Sequence, residues 1–506
     1  MDMETPHESE VSASEVGYIQ QVWVESGMSR DGLYEETTAP VIDAHPINQS
    51  PFPESLIGPY SPPDRRKAAT GDQNMLEPLA ERRLFPGFLE AGPREMLRLD
   101  PCTVRAAIVA VGGTAPGTNA VIHAIVRRHH RYVEAAEAAW EKAGKTGLRP
   151  RCTGNFLGIL NGFEGLMAPR PWPAAAVPGP VELRPDQTVL WRDMAGCQLG
   201  LSRYDFSGPG LVEKAAENLI AEDIDIVYVI GGDGGIQAAL RLWRTLREDP
   251  RGRNIVVAAI PKTMDNDIAW VWRSLGYRTA LAEAARILNV LRTDAEANRR
   301  VVLVELFGAD AGFVTAGAAL ASGKADCVLI PEEAFDPWKT VAYIAERTRR
   351  ERCALVVLGE GVLLSLAKEL VSQQRLEPPK TPGTALRDPW YERRDLRDLA
   401  LKWLRDQLRA EFVKPEVFTG HVVISQPGYL IRAVPPLAED TIYAERLGDL
   451  AVDNALAGYT GFMATHWQNN YVLVPLRLVV KVERRVPRGG IFWREVLARA
   501  AQPPLG

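Results

Sequence analysis

The stretch IVYVIGGDGGIQAALRLWRTL, residues 226–246, combines the three features that decide the fold of this chain. A run of β-branched and other apolar residues ends at four glycines around Asp233, and apolar residues at helical spacing follow. An apolar run without polar alternation indicates a strand that is buried on both faces. The stretch therefore predicts a strand, a glycine-rich turn and a helix in succession.

The same order of strand, turn and helix recurs along the chain. Further strands are predicted from VRAAIVAVGG (104–113), NIVVAAIP (254–261), RRVVLVELFG (299–308) and ALVVLGEG (354–361). Apolar strands that alternate with helices are typical of a parallel sheet with helices on both faces. With 506 residues, the chain is too long for one compact core. We therefore predict an α/β fold with two lobes.

The composition excludes several classes of function. Lys and Arg number 59 against 64 Asp and Glu, a net charge of -5 that provides no basic field for nucleic acid or acidic membranes. The chain has no apolar run of about 18 residues, as a membrane span requires, and its acidic beginning lacks the pattern of a signal peptide. Five cysteines without a C-x-x-C pair suit a reducing compartment. We predict a cytoplasmic protein without nucleic-acid or membrane partners.

Two segments differ in composition and hydrophobic pattern from the alternating strands and helices. Residues 1–90 are rich in Pro, Ser and acidic residues, so they predict an extension with little regular structure. Residues 367–410 read as an inserted loop followed by a charged helix.

Two glycine-rich turns are candidate phosphate sites. VGGTAPGTN (111–119) joins a strand to a helix, so its backbone N–H groups can approach a phosphate, although an ordinary tight turn explains it equally well. Asp233 within IGGDGG is a candidate Mg²⁺ ligand, because Mg²⁺ binds one or two carboxylates together with phosphate oxygens. The alternative is an Asp helix cap beside turn glycines.

The stretch PKTMDND, residues 261–267, concentrates polar residues directly after a buried strand. Asp265 or Asp267 could accept a proton from a hydroxyl group while cations stabilise a phosphoryl group in transfer. A structural turn would need neither both aspartates nor Lys262. Glu360 also ends a strand and could hydrogen-bond a polyol, although a lone glutamate in that position is more often structural.

Together these motifs resemble the phosphofructokinase family from about Ala91 to about Pro475. The segments AGPREMLRLDPCTVRAAIVAVGGTAPGTN, PGYLIRAVPP and ALAGYTGF are similar to the plant and trypanosomatid ATP-dependent enzymes. The resemblance implies a phosphofructokinase-like fold with a nucleotide-binding lobe at 91–270, a substrate-binding lobe at 271–480 and a tail at 481–506. The implied activity is phosphoryl transfer from ATP, with Mg²⁺, to fructose 6-phosphate.

The resemblance also implies residues for the nucleotide. Gly113 would lie along the nucleotide phosphates, and Phe163 would lie near the base. Arg203 would reach the transferred phosphate, and Asp233 would hold Mg²⁺. Pyrophosphate-using members usually carry an aspartate at the position of Gly234. The glycine leaves that space open, which favours ATP over pyrophosphate.

On the acceptor side, Asp265 would be the base, assisted by Thr263 and Asp267. Arg300 would reach the sugar phosphate of a neighbouring subunit, so a homodimer or homotetramer is expected. The residues that would contact the acceptor are Lys262, Thr263, Asp265, Arg300, Phe307, Gly308, Glu360, Tyr429 and Arg432.

Three positions depart from the family pattern. Ala309, followed by Asp310, stands where an arginine is usual, and Val423 stands where a Lys or Arg would face a neighbouring sugar phosphate. Arg278 occupies a position that is usually aspartate. Three interpretations stay open: a 6-phosphofructokinase with a rearranged phosphate pocket, a kinase of the same fold for another sugar, polyol or nucleoside, and a non-catalytic subunit. The intact set of Asp233, Thr263, Asp265 and Asp267 argues against the last.

Overall fold

Two sheets organise the chain in the computed structural model, one of nine strands and one of four, and a third ladder has two short strands. The structure describes residues 48–49, 61, 66–68, 87–145, 150, 153–168, 180–204, 206–377, 389–412, 421–480 and 484–506. Helices cover both sheets, so the predicted two-lobed α/β fold is confirmed.

The strands of the described residues are, in chain order, β1 (Asn48–Gln49), β2 (Arg66–Ala68), β3 (Gly87–Glu90), β4 (Met96–Leu97), β5 (Ala106–Ala110), β6 (Phe156–Ile159), β7 (Val181–Glu182), β8 (Ile226–Gly231), β9 (Val256–Pro261), β10 (Val301–Leu306), β11 (Cys327–Leu329), β12 (Ala354–Gly359), β13 (Val422–Ser425), β14 (Phe462–Trp467) and β15 (Asn470–Pro475). The large sheet has the order β2-β3-β15-β14-β9-β8-β5-β6-β7, and its central strands from β14 to β6 are parallel. The small sheet, β11-β12-β10-β13, is parallel throughout.

The helices are α1 (Thr118–Lys142), α2 (Phe163–Leu166), α3 (Pro185–Thr188), α4 (Leu211–Ala221), α5 (Asp233–Glu248), α6 (Tyr277–Asn298), α7 (Phe313–Ser322), α8 (Pro337–Glu351), α9 (Glu360–Ser372), α10 (Pro389–Glu411), α11 (Ala438–Leu456), α12 (Leu476–Val479) and α13 (Ile491–Ala500). A 3₁₀ turn spans Gly428–Ile431. No helix in the described part of the chain is long and apolar enough to cross a membrane.

The central strands are apolar throughout because each sheet is packed on both faces. In β5, Ala107 and Val109 face one core, while Ala106 and Ile108 face the other, and all four are fully buried. The small sheet divides its residues between two cores in the same way. Each fully buried Val, Leu or Ile side chain contributes about 1.5–3 kcal/mol to folding. The hydrophobic effect therefore holds both helical layers on each sheet.

The chain does not divide between the lobes as predicted. Strands β14 and β15, within the predicted second lobe, pair with β9 and β3 in the large sheet, and α11 packs on α1. The predicted tail contains α13, which packs on α7 and β11 of the small-sheet lobe. Strands β2 and β3 of the predicted extension pair at one edge of the large sheet. Most of the rest of that extension lies outside the described residues.

Candidate active site

A cleft of about 640 Å³ lies between the two lobes. The carboxyl ends of parallel strands from both sheets open onto it, as is usual for ligand sites in open α/β sheets. Its walls include the segments that follow β5, β8, β9 and β10, and Glu360 after β12. The predicted site residues that line it are Gly113, Arg203, Asp233, Gly234, Lys262, Thr263, Asp265, Phe307, Glu360, Tyr429 and Arg432.

Lys262 holds the glycine-rich turn VGGTAPGTN, residues 111–119, in place. Gly112 adopts a left-handed conformation, with φ of 86°, and its N–H donates to the Ser202 carbonyl at 2.8 Å. The Lys262 ammonium donates to the Gly113 carbonyl, and only 2% of the residue is exposed. Burial lowers the pKa of Lys262 to about 8, and the nearby Arg432 and Arg203 act in the same direction. Lys262 therefore places a cation against the backbone of this turn.

The glycines around Asp233 serve two different purposes. A Cβ at Gly231 or Gly235 would lie 2.7 or 2.5 Å from Cγ2 of Val111, so these two positions need glycine for packing. A Cβ at Gly234 would meet no atom of the described residues within 4 Å. Packing therefore does not require glycine at residue 234, and its open surroundings leave room for a ligand at the amino end of α5.

The stretch PKTMDND forms a tight turn whose middle residue is structural. Asn266 has φ of 57°, a left-handed conformation that Asn tolerates better than most residues. Its Oδ1 accepts from the Ser274 N–H at 2.9 Å. The Asp265 N–H donates to the Thr263 hydroxyl at 3.1 Å. Asn266 thus explains the shape of the turn, and the Asp267 carboxylate accepts a hydrogen bond from the Thr263 hydroxyl, which leaves Asp265 without an obvious structural role.

The surroundings of both aspartates disfavour the ionised form of their carboxyl groups. Oδ1 of each is buried and has no hydrogen-bond partner within the described part of the chain. Burial, and then repulsion from Asp267 and Glu360, hold the pKa of Asp265 well above its usual range. Burial also raises the pKa of Asp267 to about 6, and the charges of Asp233 and Asp310 act in the same direction. Perturbed carboxylates in a cleft are typical of acid–base sites.

Arg432 faces these carboxylates from the second lobe. Its guanidinium carbon lies 4.9 Å from the centre of the Phe307 ring and 4.8 Å from that of the Tyr429 ring. Contacts of this kind hold a cation over the negative face of each ring. Burial lowers the pKa of Arg432, while Asp265 and Glu360 oppose that change. Arg432 is thus a fixed positive charge near Asp265.

Glu360 belongs to a chain of charged groups that the sequence did not reveal. Arg397 of α10 forms an ion pair with Glu360 and another with Glu305, the latter with a distance of 3.2 Å from Nε to Oε1. The other oxygen of Glu305 accepts from Gln426 Nε2 at 2.6 Å. The three charged side chains are mostly buried, so Arg397 holds together the ends of β10 and β12.

Four predicted site residues do not line the cleft. Phe163 was expected near the nucleotide base, but it is fully buried and packs on Phe206 with ring centres 4.6 Å apart. Arg300 lies just before β10 and pairs with Asp294 at 2.8 Å. Gly308, with φ of 130°, accepts from the Gly361 N–H through its carbonyl. Asp267 is absent from the cleft lining, although its charge is close enough to raise the pKa of Asp265.

The three departures from the family pattern have different surroundings. Ala309 lines the cleft and brings no charge to it. Val423 lies on β13 and packs against a core of the small sheet. Arg278 pairs with Glu439 at 3.0 Å on the surface. None of the three restores the missing positive charge in the cleft.

Sequence reasoning missed the cleft residues of α10, Arg394 and Arg397. No short motif marks them, because they lie far along the chain from the strands they serve. One signal was available. Residues 397, 401, 404 and 408 share one helical face, and the last three are buried leucines. That pattern indicates which face of α10 turns toward the protein.

The carboxylates of the cleft fit Mg²⁺ only together with a phosphate ligand. Among the described residues, no group of three or more His, Cys, Asp or Glu side chains is arranged to hold a metal ion. Asp233 lines the cleft, and one of its oxygens accepts from Gln237 at 2.6 Å. Asp265 and Asp267 each add one buried oxygen, Oδ1, that has no hydrogen-bond partner among the residues described. Mg²⁺ commonly binds through one or two carboxylates plus substrate phosphates, so the donor set fits this ion.

Comparisons with known proteins agree with this geometry. The ATP-dependent 6-phosphofructokinase of Amycolatopsis methanolica is 32% identical over 469 residues, which are 90% of this chain and 92% of that protein. The chloroplastic ATP-dependent 6-phosphofructokinase 4 of Arabidopsis thaliana is 30% identical over 82% of this chain and 71% of its own length. The pyrophosphate-dependent phosphofructokinase structure from Marinobacter aquaeolei shares the fold, with a TM-score of 0.58 and 18% identity over 79% of this chain and 92% of that one.

The part of the chain that matches a protein-family model contains the residues that line the cleft. The model of the family described as Phosphofructokinase matches residues 105–455, which is more than two thirds of the chain. The matched range contains the glycine turns, the PKTMDND turn and the segment of Tyr429 and Arg432. The predicted resemblance is thereby confirmed, and the chain belongs to the phosphofructokinase family.

Proposed function

We propose that this protein is an ATP-dependent 6-phosphofructokinase, which transfers the γ-phosphoryl group of ATP to a hydroxyl of fructose 6-phosphate and yields fructose 1,6-bisphosphate and ADP. The observation that carries the proposal is the Asp265 carboxyl. It lines the cleft between the glycine turns and Arg432, and its buried Oδ1 has no partner among the described residues. The relatives from A. methanolica and A. thaliana are named for the same reaction.

In this proposal Asp265 is the general base. Its carboxylate accepts the proton of the acceptor hydroxyl as that oxygen forms a bond to the γ-phosphorus and the bond from phosphorus to ADP breaks. Burial, with repulsion from Asp267 and Glu360, raises the pKa of Asp265, and a higher proton affinity suits a base. Arg203, Lys262 and Arg432 supply positive charge around the transferred group.

Asp233 would hold Mg²⁺ together with phosphate oxygens, and the ion would neutralise phosphate charge and polarise the transferred group when bound. ATP is the proposed donor because the space beside Gly234 is open. Thr263 supports the reaction indirectly, since its hydroxyl accepts from the Asp265 backbone and stabilises the turn. Glu360, Tyr429 and Phe307 would contact the sugar.

We also propose a homodimer or homotetramer. Arg300 lies outside the cleft of its own subunit, and its side chain is about one third exposed. A basic side chain in that position can serve a neighbouring subunit. Light scattering of the purified protein would report the oligomeric state, and a strictly monomeric active enzyme would contradict this part of the proposal. The cytoplasmic location stays a prediction.

The decisive experiment measures ADP release from Mg-ATP with fructose 6-phosphate, fructose, and a panel of sugars, polyols and nucleosides as acceptors. A parallel set of reactions contains pyrophosphate as the donor. We expect fructose 6-phosphate and ATP to give by far the highest kcat/KM. Preference for an unphosphorylated acceptor would support the second interpretation instead, in which Ala309 and Val423 mark a pocket for another substrate. No turnover with any acceptor would support a non-catalytic role.

A further inference from the structure

The charge balance of the cleft depends on α10, the helix within the segment predicted as an insertion. Among the described residues that line the cleft, five are cationic and four carry carboxylates. Two of the five cations, Arg394 and Arg397, come from α10. Without them the cleft would have three cations against four carboxylates and would repel a dianionic substrate.

The position of α10 follows from its apolar face. Leu401, Leu404 and Leu408 are buried against the core that α9 and α8 form with the small sheet. Arg397 continues the same face one turn earlier, where it reaches Glu305 and Glu360 at the ends of β10 and β12. Arg394 lies three residues before Arg397, a spacing that keeps side chains adjacent on a helix. Both arginines therefore project over the second-lobe end of the cleft.

Most cations of the cleft are already engaged by the protein. Arg397 is shared by two carboxylates, and Lys262 donates to the Gly113 carbonyl. Arg432 is held between the rings of Phe307 and Tyr429. Arg394 differs, because it is exposed to the cleft and forms no ring contact, ion pair or hydrogen bond with the residues that the structure describes. Its guanidinium can bind an anion without breaking an existing contact.

We propose that Arg394 contacts the phosphate group of the acceptor sugar, and so supplies within one subunit the positive charge that Ala309 and Val423 do not. This inference rests on the proposed function, since it assumes a phosphorylated acceptor. A guanidinium suits the role because its planar N–H groups bind phosphate oxygens in pairs. Arg397 acts differently, because it neutralises Glu305 and Glu360, which would otherwise repel the same phosphate.

The test compares Arg394→Gln with the wild type and with Lys402→Gln, a charge-removing control at an exposed position of α10 outside the cleft. Loss of one charge-assisted contact should raise KM for fructose 6-phosphate about 10- to 100-fold. KM for ATP, and kcat/KM for fructose, which lacks the phosphate, should stay close to the wild-type values. The Arg394→Lys variant should recover part of the affinity, and Lys402→Gln should behave like the wild type.

The outcomes separate this inference from the proposed function. If the wild type uses fructose 6-phosphate and Arg394→Gln leaves its KM unchanged, Arg394 does not contact the phosphate, although the proposed function stands. The inference also fails if the variant weakens ATP, fructose and fructose 6-phosphate equally, because that pattern indicates general damage to the cleft. If the wild type does not phosphorylate fructose 6-phosphate, the proposed function fails and this inference fails with it. Thermal unfolding of each variant confirms that the fold is retained.

Discussion

The open space at Gly234 allows a direct test of how the protein accommodates a nucleotide. Gly234 is the second residue of α5, and a Cβ there would meet no atom within 4 Å in the part of the protein that the structure describes. The Cβ of an Asn or Asp at this position therefore fits without moving a neighbour. Because the two side chains have nearly the same size and shape, Gly234→Asp and Gly234→Asn differ essentially in one negative charge.

The expected effect follows from Coulomb's law. Two like charges about 5 Å apart repel each other by about 3 kcal/mol when the effective dielectric constant is about 20. That energy corresponds to roughly a hundredfold change in binding. Since residue 234 is exposed, salt will screen part of the repulsion. We expect KM for ATP to rise about 10- to 100-fold in Gly234→Asp, and only slightly in Gly234→Asn.

The assay measures initial rates against ATP concentration at saturating fructose 6-phosphate, at low and at high salt. The difference between the Asp and Asn variants should shrink at high salt, because the Debye length shortens. Gly234→Ala serves as a neutral control. Gly235→Ala serves as a steric control, since its Cβ would lie 2.5 Å from Val111 Cγ2 and should lower the unfolding temperature.

Two results would refute this reasoning. Equal losses of ATP affinity in the Asp and Asn variants would mean that occupied space, rather than charge, decides the effect. Unchanged ATP affinity in Gly234→Asp would mean that the nucleotide phosphates do not pass beside the amino end of α5.

Three further predictions concern the charged groups of the cleft. Asp265→Asn should lower kcat at least about a hundredfold, the lower end of general-base effects, while the control Asp406→Asn, on the exposed face of α10, should leave kcat unchanged. Steady-state kinetics with fructose 6-phosphate measure both effects. Wild-type turnover in Asp265→Asn would show that Asp265 is not the base. The pKa of Asp267 in the folded protein, about 6, is raised above its unfolded value. Its contribution to the free energy of unfolding of the ligand-free protein is therefore fully present below about pH 4. That contribution, about 3 kcal/mol, should be lost as the pH rises through about 6. Asp267→Asn should therefore unfold at a higher temperature than the wild type at pH 7.5 but not at pH 4, and equal differences at both pH values would show that the charge of Asp267 is not the cause. Arg397→Met should destabilise the protein by about 3–5 kcal/mol because it leaves buried carboxylates unpaired. Adding Glu305→Gln to this variant should recover part of the lost stability. Denaturant unfolding measures the stability of both variants, and no recovery would show that the unpaired Glu305 carboxylate does not cause the loss.

Much of the fold was predictable because it depends on local patterns. The apolar strands and the glycines at their ends indicate parallel sheets with ligand sites at the carboxyl edges, and these patterns extend over only a few residues each. The turn of Asp265 was identified for the same reason, since two aspartates and a lysine after a buried strand have no simple structural explanation. Lys262 and Asp233 were likewise found from their positions just after strands.

The errors arose where distant segments meet. Strands β14 and β15 return to the large sheet because their apolar residues complete its two cores, and nothing near residue 460 states which sheet they will join. Phe163 was expected beside a ligand, yet its ring fills the core next to Phe206, and only packing decides between those positions for an apolar side chain.

By itself, the sequence determined the α/β class and the family, and it identified the PKTMDND turn as a candidate catalytic segment, because strand patterns and short polar motifs are local properties of the chain. The tertiary structure alone decided which charges share the cleft. Coulomb energies depend on distance through space and on burial, and only the folded chain brings Arg394 and Arg397 of α10 to the cleft, where Arg397 pairs with Glu305 and Glu360. The engagement of Glu360 by Arg397 follows from that arrangement, and burial, together with the nearby Asp267 and Glu360, raises the pKa of Asp265.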